Sequence, residues 1–430
     1  MNDIGEEINR IAAEGTRRFN AGKPRVSNAE ILKDARRAVR VRAGTRIGVG
    51  VAAVALLTGT FAFALPKIGN RDVEPANPLP GDLVWSADVG AEMWGSPAVL
   101  GDRVYVGAND GSVRAFDLAD GAPAWTFDAG AAVRASITTD GSVLFVAADD
   151  NAVVALRDDG TAPSVVWSAQ LGTRHEQRGV YDTFGSAPTV AGDLVILGSA
   201  DGGVYGLDRA DGTQTWKVQT FGVVRSTAAV SDGVAYIGSN DGYLYAIDAA
   251  TGAQLWSQSL GNSVTPSPAV VGDLVVVGSR GTSVVALDTS TGTVAWEYSL
   301  APSWAESSPV RLGETLVFGS SAAGTVTAVN PETGELEWSS YVGGWPWSRP
   351  TVADGTVYVT TAFAGGDNPE VPGALALDGT TGVILWSFPI GEALRWTPDG
   401  RANGAMASPT VADERVLVAG LDGVLYCVAR

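Results

Sequence analysis

The chain has 430 residues, 45% of them apolar, with one cysteine, one histidine and a formal net charge of −18 at pH 7. A single cysteine excludes an intramolecular disulfide, a single histidine excludes metal sites built on histidine clusters, and the acidic balance argues against nucleic acid as a partner. The 54 glycines and the 18% of charged residues suit a large core made of short strands and tight turns.

Charge is unevenly placed along the chain. Residues 1–46 carry 11 Lys or Arg against 6 Asp or Glu, a net of +5, whereas the remainder carries 18 against 41, a net of −23. Within the basic segment, Ser27 or Asn28 precedes apolar residues at Ile31, Ala35 and Val39, the pattern of a short capped helix. From Ile47 to Leu65, "IGVGVAAVALLTGTFAFAL" is 19 residues without a charge, about the length needed to cross a hydrocarbon core of roughly 30 Å. Arg36, Arg37, Arg40, Arg42 and Arg46 precede this run and only Lys67 and Arg71 follow closely. The positive-inside rule therefore predicts a single transmembrane helix at 47–65 in a bacterial cell membrane. Residues 1–46 lie in the cytoplasm, and a polar, Pro-containing linker at 66–81 leads to a domain outside the membrane at 82–430. "AFA" at 62–64 fits a cleavage site, but 46 residues is a long leader, which favours an uncleaved anchor.

Beyond the linker the sequence repeats. "AIDAATGAQLWSQ", "ALDTSTGTVAWEY", "AVNPETGELEWSS" and "ALDGTTGVILWSF" each end one apolar strand in Asp or Asn, turn through Gly, and begin a second strand that carries Trp. Alignment on this residue gives Trp85, Trp125, Trp167, Trp216, Trp256, Trp296, Trp338 and Trp386, at intervals of 40 to 49 residues. A large ring at one place in every unit implies a contact repeated between successive units. The fifth unit shows four strands: A in "SPAVV", B in "LVVVG", C in "VVALD" and D around Trp296, separated by Gly-Asp and Gly turns. Four strands at such a period predict a β-propeller. Strands A, B and C occur eight times, and the last set reaches the C-terminus without a Trp strand, while "GDLVWSADVG" at 81–90 is a D strand with nothing before it. The N-terminal strand is therefore expected to complete the C-terminal blade and remove the open edges. The fold class is all-β: an eight-bladed propeller of four-stranded antiparallel blades. Cys427 takes the place of Ala246 or Ala286 in other C strands and is expected to be a small buried residue.

The repeated "A-x-D-x-x-T-G-x-x-x-W" pattern, close at Ala246, Asp248, Thr251, Gly252 and Trp256 and again at Ala286, Asp288, Thr291, Gly292 and Trp296, resembles the tryptophan-docking motif of the pyrroloquinoline quinone-like repeat family. The resemblance covers residues 82–430. It implies the propeller and structural roles for the eight docking tryptophans. The family includes quinoprotein dehydrogenases and non-enzymatic propellers, such as the lipoprotein of the outer-membrane assembly machinery. The dehydrogenases typically have adjacent cysteines beside the quinone, and this chain has one cysteine; no residues match their calcium and base carboxylates. The non-enzymatic branch is thus favoured, with no cofactor. A quinone-dependent dehydrogenase using pyrroloquinoline quinone and calcium is the alternative.

In an up-and-down blade the D-to-A connectors and B-to-C loops share one face. Trp94, Trp304, Trp345, Trp347 and Trp396 all lie in D-to-A connectors, with Arg134, Arg174, Arg178, Arg225, Arg349, Arg395 and Arg401. Insertions at 172–186, which contains His175, Glu176, Tyr181 and Asp182, at 362–374 and at 391–407, which contains Asp399, enlarge the same face. Trp94, Arg134, Arg225, Glu306 and Trp347 align two residues before the position of Ser96, a register that aims them at the axis as a ring. Trp and Arg dominate desolvated binding sites and clamp or stack on ligands. The candidate binding set is therefore Trp94, Arg134, His175, Tyr181, Arg225, Trp304, Glu306, Trp345, Trp347, Arg349, Arg395 and Trp396, serving a protein- or ligand-binding scaffold. The expected partner is an envelope protein or a cell-wall ligand such as a glycan. The competing expectation is that these residues plug the channel and pair with nearby acids.

Overall fold

The computed structural model describes residues 78–173, 185–321, 323–362, 373–391 and 404–430. The basic segment, the apolar run at 47–65 and the linker as far as residue 77 lie outside the described residues, and no helix among the described ones is long and apolar enough to cross a membrane.

Within the described residues, 32 strands form eight four-stranded antiparallel sheets. Blade 5 shows why: strand A is Ala269–Val271, B is Leu274–Gly278, C is Ser283–Asp288 and D is Val294–Ser299, hydrogen-bonded in that order. Strands B and C are β-branched and buried on both faces because each sheet stacks between two others, whereas D alternates exposed and buried positions at the perimeter. The C-to-D turn is set locally. The Asp288 carboxylate accepts the N–H groups of Ser290 and Thr291 as well as their hydroxyls.

The recurrent Trp has two neighbours that explain its motif. Across the C–D ladder, Trp296 pairs with Ala286 beside a β-bulge, and the bulge recurs at Ala115, Gly206, Ala246, Ala328 and Ala376. Only a small residue fits there, since a Cβ added to Gly206 would lie 2.2 Å from the Trp216 ring. Cys427 holds this position opposite Trp85, fully buried, and burial pushes its thiol up to about 11. In the other direction seven of the eight rings meet a glycine of the following blade. Gly252, at φ +75°, would place a Cβ 2.8 Å from the Trp216 ring, so that turn needs glycine both for its dihedral and for the approach of the indole. Six indoles donate to a carbonyl of that next turn, as Trp216 does to Ala249 at 3.1 Å and Trp256 to Thr289 at 2.9 Å. Trp125 differs because the next blade has the longer C-to-D turn, and its indole lies beside Asp158. Burial alone would raise that carboxyl, but hydrogen bonds from Tyr105, Gly160 and Arg103 bring it below the usual range.

Eight apolar clusters, one for each pair of adjacent blades, make up most of the core. The ring closes as the repeat count predicts. Leu83–Asp88 pairs with Val424–Ala429 as the outer strand of blade 8. Two bonds across the chain ends, Gly81 N–H to the Ala429 carbonyl at 2.9 Å and Ala429 N–H to the Asp82 carbonyl at 2.8 Å, stand in for the missing C-to-D turn. Gly81, at φ +88°, sits against Trp386 as the other turn glycines sit against their rings.

Candidate functional site

Each D-to-A connector brings one residue to the mouth of the axial channel just before strand A begins. In blades 1 to 8 these are Trp94, Arg134, Gly185, Arg225, Thr265, Glu306, Trp347 and Met406, and all eight line an axial well of about 910 Å³. Two residues deeper, a tier of mostly serine and threonine side chains lines the same well, with Arg349 in blade 7. Strand A is short and follows directly on a Pro in most blades, so the residues before it are free of ladder pairing.

The mouth is electrostatically organised. Arg134 donates from Nε to Asn109 Oδ1 at 2.7 Å and pairs with Asp149 at 3.1 Å. Glu306 accepts from Arg280 Nε at 2.7 Å and from the Thr265 hydroxyl at 3.0 Å. Arg225 is 8% exposed. Among the described lining residues, Arg134, Arg225, Arg280, Arg311 and Arg349 face a single carboxylate, Glu306, so the well is locally cationic inside an acidic chain.

The aromatic residues divide. Trp345 and Trp347 stack with ring centroids 5.2 Å apart and planes at 18°, and Trp347 belongs to a buried cluster with Ala362, Met406 and Leu421, against which Trp94 also packs. The backbones of Trp345 and Ala362 bond each other in both directions, at 2.7 and 3.2 Å. Trp304 is 43% exposed at the edge of the well. Of the residues chosen from sequence, the structure gathers Trp94, Arg134, Arg225, Trp304, Glu306, Trp347 and Arg349 around the well and places Trp345 behind Trp347. His175, Tyr181, Arg395 and Trp396 lie outside the described residues, as do Arg174, Glu176, Arg178, Asp182, Asp399 and Arg401.

Two residues of this face escaped the sequence reading. Arg280 comes from the B-to-C loop of blade 5, which shares the face with the D-to-A connectors. Phe221, in the connector between blades 3 and 4, is 95% exposed, and a phenylalanine in a D-to-A connector is the signal that marks it.

Four overlapping matches, at residues 39–138, 109–223, 221–343 and 299–394, relate the chain to a family model described as outer membrane protein assembly factor BamB. The protein of that name from Salmonella typhimurium is 26% identical over 200 residues, 43% of this chain and 38% of the relative, so the chain spans well under two thirds of that relative's length. The crystal structure of BamB from Moraxella catarrhalis is similar with a TM-score of 0.60 at 21% identity, over 81% of this chain and 97% of that one. The quinohemoprotein alcohol dehydrogenase of Comamonas testosteroni gives 0.59 at 14% identity, over 81% and 76%. At these identities the two structural likenesses concern the fold alone.

Proposed function

The chain belongs to the pyrroloquinoline quinone-like repeat family whose model is described as outer membrane protein assembly factor BamB, and we propose that it is a docking module of the bacterial envelope, which captures a protein partner at the D-to-A mouth. One observation carries this reading. Residues in equivalent register, which a purely structural role would keep alike, are Trp, Arg, Gly, Arg, Thr, Glu, Trp and Met around one mouth. The exposed rings of Phe221 and Trp304 on the same connectors offer apolar area to a partner, and arginine with aromatic rings is the composition of interface hot spots. In this reading residues 47–65 anchor the module, residues 1–46 remain in the cytoplasm and the propeller faces out.

The described lining of the well offers little to a quinone held with calcium. Its one lining carboxylate among the described residues, Glu306, is engaged by Arg280 and Thr265, and the described residues contain no group of three or more potential metal ligands.

The test is capture from native envelope extract by the full chain. Replacing Phe221 and Trp304 with Ala should abolish capture while circular dichroism and melting stay near wild type. Asn replacements at Asp193 and Asp273 in the opposite-face turns should leave it intact. Loss of the partner in the turn variants alone would place docking on the other face. Protease added outside intact cells should digest the propeller; a secreted product beginning near Leu65 would overturn the anchor.

A further inference from the structure

Below the mouth, six of the eight blades present a hydroxyl to the well: Ser96, Ser136, Thr227, Ser267, Ser308 and Ser408. These side chains link the blades in a ring. The backbone N–H of Ser408 donates to the Ser96 hydroxyl oxygen, Ser96 to Ser136, Ala187 to Thr227, Thr227 to Ser267 and Ser267 to Ser308, at 2.8 to 3.0 Å. The ring is interrupted where Ala187 and Arg349 replace the hydroxyl. At Arg349 the chain gives up a link between blades and brings a guanidinium into the well instead.

That guanidinium has no hydrogen bond or ion pair among the described residues, whereas Arg134 and Arg280 are paired with carboxylates. Arg349 is exposed to the well, and desolvation by the surrounding wall lowers its pKa. The surroundings supply more donors: each ring oxygen that accepts a backbone N–H keeps its own hydrogen, and no bond donated by these hydroxyls is found among the described residues.

We propose that the axial well binds a small organic anion, its carboxylate or phosphate group held by Arg349 within the ring of serine and threonine hydroxyls. A planar guanidinium takes either group through two parallel hydrogen bonds. The well's volume of about 910 Å³ suits a small molecule, and the acidic exterior disfavours an anionic macromolecule. The site goes beyond the docking reading and does not depend on it, because the docking residues are at the mouth and Arg349 lies a tier below.

The experiment is calorimetric titration and thermal melting of the full chain in detergent with citrate, with inorganic phosphate, and with sodium chloride at matched ionic strength. Saturable binding of citrate, phosphate or both, with a raised melting temperature that chloride does not reproduce, is expected. The anion that binds tells carboxylate from phosphate. Arg349→Ser supplies the hydroxyl that six other blades carry; it should melt at or above wild type without anion and bind at least tenfold more weakly. Arg157→Ser, at an exposed arginine away from the well, should bind as wild type does. The proposal fails if the wild-type chain binds neither anion, if chloride matches their effect, or if Arg349→Ser binds as tightly as wild type.

Discussion

At the perimeter, Trp216 lies 7% exposed between Gly206 of its own blade and Gly252 of the next, and six further rings meet a turn glycine of the following blade in the same way. At the mouth, equivalent positions of the same blades hold residues as different as Trp94, Arg134, Gly185 and Glu306. Both regions are built from one repeat, yet only the perimeter keeps its residues. The difference lies in what each side chain faces. A perimeter ring faces the next copy of the repeat, so a change in one blade must be matched by its neighbour, whereas a mouth residue faces the axis, where no neighbour dictates its size or charge.

If this contrast is right, the perimeter should govern stability and the mouth recognition. The largest effect is expected where the perimeter is closed by the N-terminal strand. A chain beginning at residue 91 loses Leu83–Asp88 and Trp85, leaves Val424–Ala429 with an open edge and should be more than about 5 kcal/mol less stable than one beginning at 76. Equal melting of the two would break the closure argument. Next comes Trp216→Ala, which removes the ring and its bond to Ala249; denaturant unfolding should show a loss of about 3 to 5 kcal/mol.

A smaller effect, with a pH signature, is expected at Asp201 in the B-to-C loop of blade 3. Its side chain is 3% exposed and accepts from Tyr205 at 2.5 Å, Lys217 at 2.9 Å and the Gly203 N–H at 2.8 Å. Burial alone would raise its pKa, but hydrogen bonds from Tyr205, Lys217, Gly203 and Ser199 outweigh it and hold the carboxyl below its ordinary value. Because the folded pKa is the lower one, the stabilisation is full above the unfolded value, about 3.9, and is lost as pH falls through the folded value. Asp201→Asn should therefore cost about 1 to 3 kcal/mol at pH 7 and progressively less below pH 4. A melting difference that is constant from pH 7 to pH 2 would contradict this. The smallest effect is expected at the mouth: Trp304→Ala, at a ring 43% exposed, should change stability by no more than about 0.5 kcal/mol. A loss comparable to that of Trp216→Ala would erase the distinction between the two regions.

Much of the architecture was legible in order along the chain. Strand B of blade 5 was expected as "LVVVG" and is Leu274–Gly278, and the orphan strand at 81–90 was expected to complete blade 8 and does. The site was legible in part. The register of Trp94, Arg134, Arg225, Glu306 and Trp347 placed them at the axis, where they line the well, but the same reasoning could not assign their partners. The Arg280–Glu306 pair joins a B-to-C loop to the connector of the next blade, and Arg134 finds Asn109 in the blade before its own.

By itself the sequence determined the number of blades, the strand that closes them and the face that varies, because alternation, Asp-Gly turns and a ring at a fixed offset are properties of adjacent residues. Tertiary structure alone decided that the Trp345 and Trp347 rings stack on each other at the edge of the well, that the docking rings rest on turn glycines of the following blade, and that Arg349 breaks a hydroxyl ring. Those outcomes depend on curvature, which sets blade n against blade n+1 at the perimeter and brings eight connectors to one axis, and no stretch of contiguous residues contains that geometry.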